Sequence, residues 1–415
     1  MARGAGVDVA PAEAGTARIE WAEGQMPVLG SIAERFASSR PLSGLRVAAC
    51  LHVTAETACL ARALVAGGAS VSLAAANPLT TQDEVAEALS ANDGIEVRGR
   101  RGDSFEEFTA HVSSLAASSP HVTLDDGADL VTVLHAREAG PGELIGATEE
   151  TTTGLVRVRR LEADGRLAVP LLAVNEARTE RAFNDRHGTG QSALDGILRA
   201  TNLLLAGQTL VVLGYGQTGR GIAARARGAG AAVVVCEVDP LSALEARMDG
   251  YEVMTSLAAA ERGDVFVTVT GSRGVLRGEH FERMKDGAVL ANAGHFDVEI
   301  DLEELAAGAD SVREVRPLVE AYDLGDRRLN LLARGRVVNL AAAEGHPAAV
   351  MDVSFAIQAL CVEELVCRAG ELSPGVHAVP AAIDHEVARL KLAALGVQID
   401  ALTDEQREYL DTWTG

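Results

Sequence analysis

The sequence predicts an α/β protein whose parallel sheets carry helices on both faces. Two features carry that expectation. From Leu45 onward, short apolar runs alternate with segments of helical periodicity. One such run, Leu210 to Leu213, leads straight into Gly214-Tyr215-Gly216-Gln217-Thr218-Gly219. Composition agrees: 47% hydrophobic residues and 42 glycines suit a folded α/β chain, and 415 residues suffice for two or three domains with buried cores.

Taken in order, residues 1–25 are rich in Ala, Gly and charge and read as a loose, flexible arm. Leu45 to Leu51 reads as a strand, Glu56 to Gly68 as a helix closed by glycine, and Ser70 to Asn77 as the next strand. His121 to Asp126 is a strand with a carboxylate-rich end, and Gly127 to Ala136 the helix after it. Val174 to Gly207 is polar and turn-rich, apart from an amphipathic helix around Ser192 to Ala206. Beyond the glycine motif, Asp264 to Thr270 and Gly287 to Ala293 are strands ending in Thr-Gly or Ala-Gly, so each tip can face a cleft outside the strand ends. The chain then returns to helix, notably Ala349 to Arg368 and Asp384 to Leu395.

The glycine motif has a physical reading. Gly214 permits a tight turn, Gly216 lets the backbone approach a pyrophosphate, and Gly219 lets the following helix pack on the strand. The pyrophosphate would sit on the amides at the helix start, around Gln217 and Thr218. A second apolar run, Ala231 to Cys236, ends on Glu237, placed where a carboxylate holds a ribose 2′-hydroxyl and repels the extra phosphate of NADP. The expected cofactor is NAD.

Bulk properties exclude several partners. A formal charge of −22 argues against nucleic acid and anionic membranes, and 3% aromatics leave little for base stacking. The five cysteines form no C-x-x-C pair, so neither a disulfide framework nor a metal site is expected. No segment resembles a signal peptide or a membrane span, and a soluble, cytoplasmic protein is expected.

Polar residues cluster at successive strand ends: His52, Thr54, Glu56 and Thr57; then Asn77, Gln82 and Asp83; then Asp125, Asp126 and Asp129; then Glu149, Glu150 and Thr151-Thr152-Thr153. Singly, each has a structural explanation as a turn former or helix start. In this order they describe one cleft at the edge of a sheet.

Through C-L-H-V-T-A-E-T, N-P-L-T-T-Q-D, L-D-D-G-A-D-L, E-E-T-T-T-G, G-Y-G-Q-T-G-R-G, E-V-D-P, N-A-G-H-F-D, V-V-N-L and G-H-P-A-A-V-M, the chain resembles the S-adenosylhomocysteine hydrolase family from about Met26 to its end. The resemblance implies a Rossmann-type NAD domain (190–340) inserted into a second doubly wound α/β substrate domain (26–185 plus 347–395), and a homo-oligomer, tetramer or dimer. It implies an adenine nucleoside substrate whose sugar is transiently oxidised at C3′. The ketone acidifies C4′–H, a base removes that proton, and the C5′ substituent leaves. Thr54, Glu56, Thr57, Asn77, Gln82, His346, Met351 and Phe355 would contact the nucleoside. His52, Asp126 and His295 would handle protons near C4′ and C5′, with Glu150, Glu180 and Asn184 at the sugar. Thr151, Thr152, Thr153, Asp185, Gly214, Gly216, Gln217, Thr218, Gly219, Glu237, Thr270, Gly294 and Asn339 would touch NAD.

The chain departs from the family pattern where the sugar is gripped. Glu180 stands where the family ordinarily carries lysine, Asn184 where it carries aspartate and Asp185 where it carries asparagine. His187 and Thr189 replace tyrosine and cysteine, and Ser242 replaces an asparagine beside Asp239-Pro240. Glutamate reverses the charge of lysine, and like charges at Glu150 and Glu180 are expected to push one pKa upward. Residues 396–415 are expected to lack the family's NAD-contacting tail. These departures favour a repurposed relative: an NAD-dependent lyase or dehydratase that expels water from an adenine nucleoside, suited to nucleoside antibiotic biosynthesis. The alternatives are ordinary S-adenosylhomocysteine hydrolysis with an altered sugar grip, and a catalytically silent NAD-binding regulator.

Overall fold

Runs of four to six apolar residues bounded by glycine or by charge become the buried strands of two sheets in the computed structural model, which describes residues 10–412 apart from Leu79 and Ala139. The first six strands are β1 (Arg46–Leu51), β2 (Ser70–Ala75), β3 (Glu96–Arg98), β4 (Val122–Asp125), β5 (Gly146–Glu149) and β6 (Pro170–Ala173). The next eight are β7 (Thr209–Leu213), β8 (Ala232–Cys236), β9 (Glu252–Val253), β10 (Val265–Thr268), β11 (Val289–Asn292), β12 (Ser311–Arg316), β13 (Val319–Asp323) and β14 (Arg328–Leu332). A last strand, β15 (Gly375–Ala378), returns to the first group.

The first sheet is seven-stranded and parallel throughout, in the order β15-β6-β5-β4-β1-β2-β3. The second is eight-stranded, in the order β12-β13-β14-β11-β10-β7-β8-β9, and turns antiparallel only at β12 and β13. Both reverse direction beside their first strand: β1 is flanked by β2 and β4, and β7 by β8 and β10. Connections leaving such a pair go to opposite faces, which opens a crevice at the carboxyl ends of the strands.

Side-chain alternation explains why the strands read as unbroken apolar runs. Val47, Ala49 and Leu51 face one core, while Ala48 and Cys50 face the other. In β7, Leu210 and Val212 point one way and Val211 and Leu213 the other. Strands covered on both faces need apolar residues at every position. Among the described residues, no helix is long and apolar enough to cross a membrane.

The structure corrects several expectations. Residues 1–9 of the expected arm lie outside the described residues, as do 413–415 of the C-terminal segment. Pro11–Glu23 is a helix, with Ile19 and Ala22 buried in the first core, because proline opens it and Ile19 supplies an apolar anchor. The passage after Val174 is helical in most of its length. A ten-residue π-helix, Glu180–Thr189, runs into the α-helix Gly190–Thr201, which stops short of Ala206 where Asn202 turns left-handed (φ 57). Apolar periodicity does not predict the β12–β13 pair. Its outer strand is largely exposed, so no apolar run marks it.

The 20-residue helix Ala348–Cys367 carries apolar residues almost all round and is buried accordingly. Its Asp352 is fully buried. The carboxylate accepts from the Val28 and Leu29 amides (3.3 and 2.9 Å), the first turn of helix Pro27–Ser39, and pairs with Lys391 Nζ at 2.8 Å. Asp352→Ala should therefore cost about 3 kcal/mol, since it strands two buried amides and an ammonium. Asp352→Asn should cost less, because it still accepts at one oxygen. Urea midpoints at unchanged slope will measure both.

Candidate active site

The two crevices face each other across a cleft of about 550 Å³. From the first sheet, β1 delivers His52, Thr54, Glu56 and Thr57; β4 delivers Asp126; and β5 delivers Glu150 to Thr153. From the second, the loops after β7, β10 and β11 bring Tyr215 to Thr218, Thr270 and Gly294-His295. The chain crossing between the sheets adds Glu180, Asn184, Asp185 and Thr189 on its way out, and Asn339 and His346 on its way back.

At the first sheet's crevice, His52 Nε2 lies 3.3 Å from Asp126 Oδ2, and His52 Nδ1 lies 2.7 Å from Thr80 Oγ1. Thr80 donates its hydroxyl proton to the Asn77 carbonyl at 3.0 Å, so it accepts from His52 Nδ1. Nε2 and a carboxylate oxygen then face each other, an arrangement through which a proton can pass. Burial lowers the His52 pKa, and Asp126 opposes that shift. His295 crosses from the other sheet: a side chain at Gly127 would sit 3.8 Å from His295 Nε2.

Around these groups the acids are buried. Glu150 accepts from Gln358 Nε2 at 3.3 Å, and Thr148 fixes that amide by donating to its Oε1 at 2.7 Å. Asn184 Nδ2 donates to Glu180 and, at 2.9 Å, to Ser354 Oγ. The π-helix explains the arrangement, because its wider turn brings residues four and five apart onto one face. Glu180, Asn184, Asp185 and Thr189 all reach the cleft from it. Burial, more than the neighbouring acids, pushes Glu150 well above the usual carboxylate range and Glu180 up to about 8. Asp185 rises to about 6 for the same reason. The expected upward shift is present, but like-charge repulsion is its lesser cause. Asp126 Oδ1, Glu180 Oε2, Asn184 Oδ1 and Asn339 Oδ1 are buried without a hydrogen-bond partner among the described residues, which suits a cleft made for a polar ligand.

The second sheet's crevice fits a dinucleotide. Gly214 has φ +106°, a conformation that disfavours other residues, and a Cβ at Gly219 would run into the Gly214 carbonyl. Gly216 is extended and in open space, just before the helix Gln217–Gly228, whose start has no side-chain cap among the described residues and so suits a phosphate. A Cβ at Gly294 would collide with Glu299. Glu299 is buried, accepts from the Thr270 and Gly271 amides (both 2.9 Å), and so ties the loops after β10 and β11 together.

Comparison with known proteins decides the family. A model of S-adenosyl-L-homocysteine hydrolase matches residues 6–144, and a model of that enzyme's NAD-binding domain matches residues 185–345. Adenosylhomocysteinase of Nostoc sp. is 53% identical over 98% of this chain and 96% of its own. That of Aquifex aeolicus is 55% identical over 98% of both. S-inosyl-L-homocysteine hydrolase of Methanopyrus kandleri is 51% identical over 98% of this chain and 96% of its own. The chain belongs to the S-adenosyl-L-homocysteine hydrolase family. Its cofactor is NAD. A dipicolinate synthase from Bacillus halodurans shares the fold alone, with TM-score 0.52 at 14% identity over 79% of this chain and 99% of that one.

Three of the residues expected to contact ligands also have partners within the chain. Gln82 is outside the main cleft and accepts from the Ala55 amide at 3.2 Å, holding the start of the helix that carries Glu56. Asn77 is outside it too, its carbonyl serving Thr80. Glu237 stands at the end of β8, but its carboxylate is taken by the amides of Tyr215, Val238 and Asp239 at 2.6, 2.7 and 3.1 Å. Thr80, Gln358, Ser354 and Glu299 went unnoticed in the sequence. Each is an ordinary polar residue whose partner is distant in the chain.

Gly219→Val should weaken NAD binding by about tenfold or more, at least about 1.4 kcal/mol, measured by calorimetry on the stripped protein. Glu180 holds a proton in the folded protein up to about 8 that the unfolded chain releases near its ordinary 4.5. Its stabilising contribution is thus complete below 4.5 and lost as pH rises through 8. Glu180→Gln should flatten the fall in apo-protein melting temperature between those limits.

Proposed function

We propose that this protein cleaves the 5′-thioether of a purine nucleoside joined to homocysteine, reversibly and with NAD. One observation carries the reading: a dinucleotide crevice and the facing His52 and Asp126 side chains open onto the same cleft. The identity to adenosylhomocysteinases supports it over the dehydratase favoured from the sequence. Nothing in these comparisons supports a place in antibiotic biosynthesis.

NAD supplies the acceptor that turns a sugar hydroxyl into a ketone and returns the hydride at the end. The rest falls to this chain's residues. Asp126 and His52 take the C4′ proton that a neighbouring ketone has acidified. His295, opposite them, protonates the departing sulfur or orients the water that adds to the resulting alkene. Glu150 and Glu180 hold the sugar hydroxyls, and an ionised carboxylate of this pair takes the hydroxyl proton as the ketone forms and returns it when the ketone is reduced, a return favoured by the burial that raises both acids. The base lies against Met351 and Phe355, one turn apart on their helix, with Thr54, Glu56 and His346 at its edge. In this reading 26–185 with 347–395 hold the nucleoside, 190–340 hold NAD, and two or four copies assemble.

A specific observation favours a second reading, loss of water from a 5′-hydroxyl nucleoside. Glu180 replaces the family's lysine and sits buried against Asn184 and Ser354. A thiol has a pKa of about 8.5, whereas hydroxide's parent water is about 15.7, so expelling water needs an acid such as protonated Glu180.

NAD-loaded protein should release homocysteine from S-adenosylhomocysteine. Loss of water from 5′-hydroxyl nucleosides, with no thiol released, would instead select the second reading. Silence with both substrates would overturn both. Glu180→Lys combined with Asn184→Asp should raise thiol release by about tenfold, worth about 1.4 kcal/mol of barrier.

A further inference from the structure

Three separate segments converge at His346. Thr189 ends the π-helix, Asn339 sits in the short helix Val338–Ala341, and His346 precedes the proline that opens the long helix Ala348–Cys367. His346 Nε2 lies 2.9 Å from Thr189 Oγ1 and 3.4 Å from Asn339 Nδ2. The amide nitrogen can only donate, and the hydroxyl can donate as well. Two donors therefore meet one ring nitrogen, and a neutral imidazole that accepts at Nε2 carries its proton on Nδ1.

We propose that Thr189 is a positioning residue which, with Asn339, locks His346 in the Nδ1–H form, so that the nucleoside end of the cleft presents a fixed N–H donor to an acceptor atom of the base. The second half rests on the nucleoside reading above; the tautomer does not. Burial, with the nearby His52 adding to it and Asp126 opposing, pushes the His346 pKa down to about 4, so the ring is neutral at physiological pH. Thr189 is itself buried and Asn339 more so, which shields both donors from water that would compete for Nε2. The donor at His346 complements Glu56 on the same wall, whose carboxylate accepts. A base must then offer an acceptor to one and a hydrogen to the other.

Nitrogen-15 NMR of histidine-labelled holoprotein reads the tautomer directly, and calorimetry with adenosine reads its consequence. The wild type should show a proton on Nδ1 and a bare Nε2. Thr189→Val should mix the tautomers and weaken adenosine binding about tenfold, and Thr189→Ser should restore both. Asn339→Asp presents an acceptor instead and should draw the proton to Nε2, which keeps the idea testable if the valine variant does not fold. A proton on Nε2 in the wild type would overturn the lock, because Asn339 would then be presenting its oxygen. An unchanged spectrum in the folded valine variant would overturn the role of Thr189. A changed spectrum with unchanged adenosine affinity would overturn the base contact. Adenosine failing to bind the wild type at all would remove the nucleoside reading and the base contact together, while the spectrum still decides the tautomer.

Discussion

Two strand-order reversals set the terms for everything else in this molecule. A parallel sheet that grows outward in both directions from one strand must send its connections to opposite faces, and the carboxyl ends of the central pair are left uncovered. Here the β1/β4 and β7/β10 pairs both do this, and the chain crosses between the sheets so that the two gaps share one cleft. Residues far apart in sequence meet there because each lies within three residues of the end of a buried strand. His52, Asp126, Thr270 and His295 are placed by strand register, and register is set by the two-sided apolar runs behind them.

Burial then sets the chemistry. The cleft gathers Asp126, Glu150, Glu180 and Asp185 where the family pattern would include a lysine. Removing carboxylates from water costs too much for all to remain ionised, so Glu150, Glu180 and Asp185 hold their protons to higher pH, with Arg181 opposing this at Asp185. Hydrogen bonds from Gln358, Asn184 and Ser354 offset part of that cost and aim the acids. The outcome is a site whose donors include protonated acids. Under the proposed function such a site grips sugar hydroxyls, although a carboxylic acid acts differently on a hydroxyl proton than a lysine would.

The backbone makes its own contribution through the π-helix Glu180–Thr189. An α-helix over the same residues would rotate Glu180, Asn184 and Thr189 progressively apart, whereas the wider turn keeps them on the cleft side. Asp384 secures its approach by accepting from the Arg178 and Thr179 amides at 2.7 and 3.0 Å. No local propensity in A-R-T-E-R-A-F-N-D-R-H-G announces such a helix, which is why the passage reads as turns in the sequence.

Sequence alone determined the α/β class, the glycine turn with its cofactor, and the strand-end clusters around His52, Asp126 and Glu150. Those signals are local: periodicity, glycine spacing and a carboxylate after an apolar run are visible within a dozen residues. It also exposed Glu180 as an exception, because a substitution inside a strong motif needs no structure to be noticed. Tertiary structure decided the rest. It folded Pro11–Glu23 onto the core, drew the Glu237 carboxylate onto its own loop, and moved Gln82 and Asn77 out of the cleft. It also made burial the main cause of the acid shifts and brought Thr189 and Asn339 to one nitrogen of His346. These outcomes depend on which groups lose water and which partner arrives from a distant segment, and neither is encoded in neighbouring residues.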